Sequence, residues 1–115
     1  MYGACYFAVL GAYRIGTGLV RVLTMEENRE LLLKAVPEAI VDTYGADKFP
    51  EEALQAAMNW ANCIVIGPGL GTSKTAEQIL KYVWKHAAVP LVVDADGLNL
   101  LAEWEDAPEP KMPVY

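Results

Sequence analysis

Two short segments of this chain carry residue types and spacings that can do chemistry. In Cys63-Ile64-Val65-Ile66-Gly67-Pro68-Gly69-Leu70-Gly71-Thr72-Ser73, a run of buried-type residues stops at a glycine-rich loop and a helix-starting Thr-Ser follows at once. A strand, a loop and a helix in that order place backbone N–H groups and a helix N-terminus around a phosphate or another polar ligand. In Pro90-Leu91-Val92-Val93-Asp94-Ala95-Asp96-Gly97-Leu98-Asn99, a second strand delivers two carboxylates to the same edge of a sheet. Parallel α/β sheets bind ligands at the carboxyl ends of their strands, so both segments are expected at one site.

Each segment also has a plainer reading. Gly67-Pro68-Gly69-Leu70-Gly71 is not a P-loop, because no lysine follows a glycine at the required spacing. It reads G-x-G-x-G and misses the dinucleotide fingerprint G-x-G-x-x-G by one position. Glycines that only supply unusual φ angles to a tight strand-to-helix connection would look the same. Asp94 and Asp96 can hold Mg²⁺ through water or orient a hydroxyl. Alternatively, Asp96 caps the short helix starting near Gly97 while Asn99 bonds the loop. The capping role is favoured for one aspartate, and the other stays open. No metal-ligand set is read.

The elements that must position these loops follow from periodicity. Residues 3–15 read as a helix with Ala4, Ala8, Gly11 and Ile15 on one small-residue stripe, ended by Gly16 and Gly18. Residues 19–23 read as a strand. Thr24 with Glu27 forms a T-x-x-E capping box that opens a helix over 25–35, stopped by Pro37. A strand is expected over 38–44 and a loop over 45–49. Pro50 then stands at a first helical position, ahead of a stripe of Leu54, Ala57, Met58 and Ala61. After the strand at 63–66, Thr72 or Ser73 caps a helix whose inner face is Ala76, Ile79, Leu80 and Val83. A strand at 91–94 and a short helix through Leu98, Leu101 and Ala102 follow, and residues 103–113 read as an exposed loop. Strands alternating with helices predict an α/β fold, with a mostly parallel sheet flanked by helices. No strand precedes the first helix, and 112–115 reads as a strand just starting, so residues 1–115 are expected to be a partial domain, truncated at both ends.

Composition narrows the functions. Apolar residues make up 54% of the 115, which suits a sheet covered on both faces. Nine basic against fifteen acidic residues give a net charge of −6. With no Lys/Arg cluster to offset it, nucleic acid is not expected as a partner. The apolar stretch 2–13 is too short to span a bilayer and lacks a basic segment before it, so no membrane role is expected. Cys5 and Cys63 lie in apolar runs with no C-x-x-C spacing, and are expected to be buried, reduced thiols of a cytoplasmic protein. His86, the one histidine, sits beside Lys85 where it favours a helix C-terminus.

Taken in order, Met1-Tyr2-Gly3-Ala4, Gly16-Thr17-Gly18-Leu19-Val20, Pro37-Glu38-Ala39, Val65-Ile66-Gly67-Pro68-Gly69-Leu70-Gly71 and Asp94-Ala95-Asp96-Gly97-Leu98-Asn99 closely resemble the NAD(P)H-hydrate dehydratases. The resemblance covers essentially the whole chain. Two departures stand out: the family usually has a serine where Tyr2 stands, and Cys5 replaces a typical alanine.

The resemblance implies a ribokinase-like, three-layer fold and a lyase that repairs hydrated NADH or NADPH. ADP in the bacterial type, or ATP in the eukaryotic type, phosphorylates the ring hydroxyl; phosphate then leaves and the double bond returns. Mg²⁺ is expected with the nucleotide, and a homo-oligomer, a tetramer in the family, for the full-length enzyme. Positions matching Ala4 and Gly69 contact the hydrated dinucleotide in the family, with Gly67 and Gly71 flanking. The family's nucleotide-binding lysine segment and catalytic aspartate, in a G-[ST]-G-D turn, are expected downstream, so no catalytic residue is assigned among these 115. Other readings are a small-molecule kinase of the same fold acting on a vitamin precursor, a Rossmann dehydrogenase with Asp94 on a ribose, and a truncated domain without activity.

Overall fold

The structure is a computed structural model that describes residues 2–14, 16 and 18–115. Helix α1 (Tyr2–Arg14) leads to strand β1 (Arg21–Met25), a 3₁₀ turn (Glu26–Asn28), α2 (Arg29–Ala35) and β2 (Ile40–Tyr44). Helix α3 (Glu51–Trp60) crosses to β3 (Ile64–Ile66), followed by α4 (Lys74–His86), β4 (Leu91–Val93) and α5 (Asp96–Glu103). The α/β alternation expected from periodicity is present. Ile15 and Thr17, on which the small-residue stripe and the Gly16-Thr17-Gly18 segment partly rest, lie outside the described residues.

The strands form two parallel pairs in place of one continuous sheet. β1 pairs with β2 in the register Arg21↔Ile40 to Met25↔Tyr44, and β3 with β4 in the register Ile64↔Leu91 to Ile66↔Val93. Val114 adds a parallel bridge to Leu91, and the Tyr115 carbonyl accepts from the Val93 N–H at 2.9 Å. The expected strand start at 112–115 is therefore present, and it covers the outer edge of β4. Backbone groups alternate sides along a strand. Because Ile40 N–H donates to the Val20 carbonyl, the backbone groups of Arg21 and Leu23 point away from β2. By the same alternation, Val65 points away from β4, since Ile64 and Ile66 are the residues that bond it. These two open edges border one cleft of about 550 Å³, which Cys5 and Val9 of α1 also line.

Two apolar clusters hold the pairs. Helix α4 presents Ala76, Ile79, Leu80 and Val83 at helical spacing to β3, β4, Leu54 of α3 and Leu100 of α5. Ser73 caps α4 by accepting the Ala76 N–H at 3.2 Å, and His86 closes it, its Nδ1 on the Tyr82 carbonyl at 2.9 Å. Cys5, Val9, Val22, Leu32, Val36 and Ala39 make the second cluster. Polar ties join β1 to β2: Arg21 binds Asp42 at 2.7 Å, and the Thr43 hydroxyl donates to Glu26, which also pairs with Arg29. The Thr43 bond first, and Arg29 second, hold the Glu26 carboxyl below the usual range.

Several expectations are corrected. The capping box fails: Thr24 stays in β1 opposite Thr43, its hydroxyl accepting from Asn28 at 2.9 Å, so the five-residue strand begins and ends two residues later than expected and the helix starts at Arg29. Pro50 is the residue before α3, not its first. On α1 the buried stripe is Cys5 and Val9, while Ala8 and Gly11 are exposed; larger side chains on the neighbouring stripe remove more apolar area from water. The loop after α5 is not wholly exposed, because Met112 is buried and the Trp84 indole donates to the Pro108 carbonyl at 2.8 Å. Cys63 is exposed, not buried, since it precedes β3 at the open edge.

Open strand edges template association. The isolated chain is expected to self-associate with rising concentration in light scattering, and Val65→Lys, at a position 57% exposed, to suppress it. A concentration-independent monomer would contradict this. The two thiols should also separate. Burial pushes the Cys5 thiol up, outweighing its Thr24 hydrogen bond, whereas Cys63 is open to solvent. Cys63 is expected to alkylate about tenfold faster or more in the native protein, with the two rates converging on unfolding, as read by mass spectrometry.

Candidate functional site

The glycine loop is built by the end of β3. Gly67, Gly69 and Gly71 all have positive φ, at +125°, +73° and +79°, and the Leu70 N–H closes a turn on the Gly67 carbonyl at 2.9 Å. Only glycine adopts such values without strain, so the three glycines set a path that the intervening Pro68 stiffens. From this loop the chain passes directly into α4, whose first turn is fastened by Ser73 and, at Thr75, by a 2.7 Å bond to the Ala46 carbonyl.

The second loop leaves β4 beside the first. Asp94 N–H donates to the Ile66 carbonyl at 3.1 Å, which extends the strand pairing by one step. Gly97 N–H then donates to the Asp94 carbonyl at 2.9 Å, and the turn between them carries Ala95 at φ +48° and ψ −125°. The two loops interlock through glycines. A Cβ on Gly67 would stand 1.7 Å from the Asp94 carbonyl oxygen, and one on Gly97 would stand 3.0 Å from the Ile66 oxygen. Gly67 is therefore packed against the turn at 94–97, while a Cβ on Gly71 would meet open space.

The carboxylates take distinct places. Asp94 is exposed. Asp96 is half-buried, and its Oδ2 accepts the Gly71 N–H at 3.0 Å, with Asn99 Nδ2 3.5 Å from its Oδ1. The helix-capping reading of Asp96 is thus corrected: Ala95 occupies the N-cap of α5 with no side-chain cap bond, and Asp96 reaches across to the glycine loop. Asn99 bonds Asp96 and not the loop itself. Sequence reading did not foresee the Asp96–Gly71 bond, because the partners are 25 residues apart and meet only once β3 and β4 pair.

Ala4 lies in the first turn of α1, half-buried. Gly67, Pro68, Gly69 and Leu70 line the cleft between β1 and β3, whose walls are mostly apolar. Among the described residues no three His, Cys, Asp or Glu side chains converge to hold a metal ion.

Comparison with known proteins gives a consistent result. The family model described as NAD(P)H-hydrate dehydratase matches residues 1–114. The bifunctional NAD(P)H-hydrate repair enzyme of Escherichia coli (strain K12) is 42% identical over 100 residues, covering 87% of this chain and 18% of that protein. The ADP-dependent (S)-NAD(P)H-hydrate dehydratase of Lactiplantibacillus plantarum is 39% identical over 103 residues, covering 88% of this chain and 36% of that protein. A crystal structure of a ribokinase-like superfamily protein from Enterococcus faecalis superposes with a TM-score of 0.80 at 32% identity, over 97% of this chain and 39% of that one. The chain thus spans between 18% and 36% of the lengths of these curated relatives.

The glycine geometry has different consequences at the two ends of the loop. Gly67→Ala places a Cβ on the Asp94 carbonyl as well as forcing a positive φ, and is expected to cost more than about 3 kcal/mol. Gly71→Ala meets no atom and should cost only about 1 kcal/mol, from its φ alone. Urea melts of both variants check the order, and equal losses would contradict the interlock.

Proposed function

The chain belongs to the NAD(P)H-hydrate dehydratase family, and from that premise we propose that it is the substrate-binding part of an enzyme restoring hydrated NADH or NADPH at the expense of ADP or ATP. The observation that carries the reading is the meeting of two strand-end loops, with Gly67 locked against the turn at 94–97 and Gly71 left open. Carboxyl ends of parallel strands are where α/β folds take ligands. Glycines at 69 and 71 carry no side chain, which lets a large planar ligand approach the loop backbone closely.

In this reading Gly69 and Gly71 contact the hydrated dinucleotide, Gly67 fixes the loop on β4, and Ala4 lets the start of α1 approach the ligand. The nucleotide is a co-substrate: it transfers a phosphoryl group to the ring hydroxyl, and loss of that phosphate together with a ring proton regenerates the double bond. What these residues supply is binding and orientation. The groups that grip phosphate and take the ring proton are assigned to sequence beyond residues 1–115, which form a partial ribokinase-like domain in this proposal. Any Mg²⁺ would accompany the nucleotide. We further place the enzyme in the cytoplasm as a homo-oligomer. No described helix is long and apolar enough to cross a membrane, and a net charge of −6 offers no face to nucleic acid.

The test is incubation with hydrated NADH and either ADP or ATP, followed at the reduced-nicotinamide absorbance band. A longer protein carrying this sequence should recover absorbance only with nucleotide. Residues 1–115 alone should not, because losing a positioned base costs about 10²–10⁴-fold. In the longer protein, Gly69→Val should weaken binding of hydrated NADH about tenfold or more by calorimetry, with a smaller effect on melting. Loss of stability at unchanged affinity would make the loop structural and remove the reading.

A further inference from the structure

Asp96 sits where a helix cap was expected, yet it serves another element. Its Oδ2 accepts the Gly71 N–H at 3.0 Å, bonding the far end of the glycine loop to the loop after β4. The near end is already fixed by packing, with the Gly67 α-carbon wedged against Asp94 and Gly97. Gly69, between those ends, and Gly71 hold positive φ and carry no side chain of their own, while Leu70 between them packs against the core. A glycine stretch of this kind wanders unless something outside it holds its backbone.

The turn that aims Asp96 is itself under strain. Ala95, at φ +48° and ψ −125°, is the one described non-glycine residue with positive φ, in a turn closed by the Gly97 N–H on the Asp94 carbonyl at 2.9 Å. This is the backbone of a type II′ turn, whose second position favours glycine. An L-residue kept there marks a conformation that the surroundings over-determine. Its effect is to begin α5 at Asp96 with the carboxylate turned back to Gly71, where Asn99 Nδ2 stands 3.5 Å from the other oxygen.

We propose that Asp96 is a positioning residue of the substrate site, a latch that fixes the backbone of Gly69–Gly71 for the hydrated dinucleotide, with Ala95 holding the latch in place. The proposal rests on the dehydratase reading for the identity of the ligand. The latch itself rests on geometry alone. Asp96 need not touch substrate; it acts through the Gly71 amide. An anionic acceptor is the stronger partner for that N–H, and a neutral amide oxygen at the same place retains part of the bond.

The experiment compares Asp96→Ala, Asp96→Asn and Ala95→Gly in the full-length protein. Three measurements are made on each: hydrogen exchange of the Gly71 amide, affinity for hydrated NADH, and melting temperature. Asp96→Ala should speed Gly71 exchange and weaken hydrated NADH, each about tenfold or more, while Asp96→Asn stays within about threefold of the parent on both. Ala95→Gly should raise the melting temperature by a few degrees, because glycine relieves the turn, and yet speed Gly71 exchange. A merely structural turn would move stability and exchange together. Unchanged Gly71 exchange in Asp96→Ala overturns the latch. Faster exchange at unchanged affinity overturns its role in the site and leaves the dehydratase reading standing. A parent protein that does not bind hydrated NADH sinks the dehydratase reading and the substrate role with it, and the exchange data still decide the latch. Should Asp96→Ala not fold, Ala95→Gly and Asp96→Asn carry the same comparison.

Discussion

The contact on which this structure turns is the close approach of the Gly67 α-carbon to the Asp94 carbonyl, where any side chain at all would collide. It brings the ends of β3 and β4 together and sets both loops in one place. Upstream of it, three residues of parallel pairing suffice, from Ile64↔Leu91 to Ile66↔Val93, because the α4 face packs behind them. Downstream of it, the path of the glycine loop and the start of α5 follow from where the two backbones touch. The hydrophobic effect makes the layers, but this one steric constraint says where the loops end up.

The first half of the chain solves a different problem. Its strands β1 and β2 are longer, at five residues each, and their pairing is reinforced by side-chain ties at the strand surface. Arg21 with Asp42, and Thr43 with Glu26 and Arg29, cross from one strand or its adjoining turn to the other. Partly exposed ion pairs of this kind contribute modestly, about 0.2–1 kcal/mol each. Register is therefore their better-supported role, since a one-residue slip would separate every pair. Tyr44's own burial pushes its hydroxyl pKa up, with the charge of the neighbouring Cys5 adding to it, and the burial of Cys5 shows how closely α1 lies against this pair.

Much of this was legible from residue order. The stripe Ala76, Ile79, Leu80, Val83, the cap at Ser73, and the strands around Ile64–Ile66 and Leu91–Val93 declare themselves through period and punctuation, signals that local physics obeys. The failures share a cause. Thr24 and Glu27 spell a capping box, but pairing with β2 keeps Thr24 extended, so a tertiary contact overrode a local preference. Cys63 reads as buried from its apolar neighbours, but it stands at an open edge. Asp96 reads as a cap, but its acceptor is claimed by an amide 25 residues away. In the site, the glycines could be found by eye. Which of them meets protein and which meets open space needed the fold.

A loop whose shape depends on absent side chains also limits how the protein can diverge. Gly67 admits no replacement without displacing a neighbouring backbone, and Gly97 leaves little room for one, so these positions offer natural selection almost no vocabulary. Any lineage drifting toward a new ligand would have to write its changes elsewhere, on Leu70 or on the apolar walls of the cleft. Variation among descendants should then gather around the loop and leave Gly67 as its silent frame.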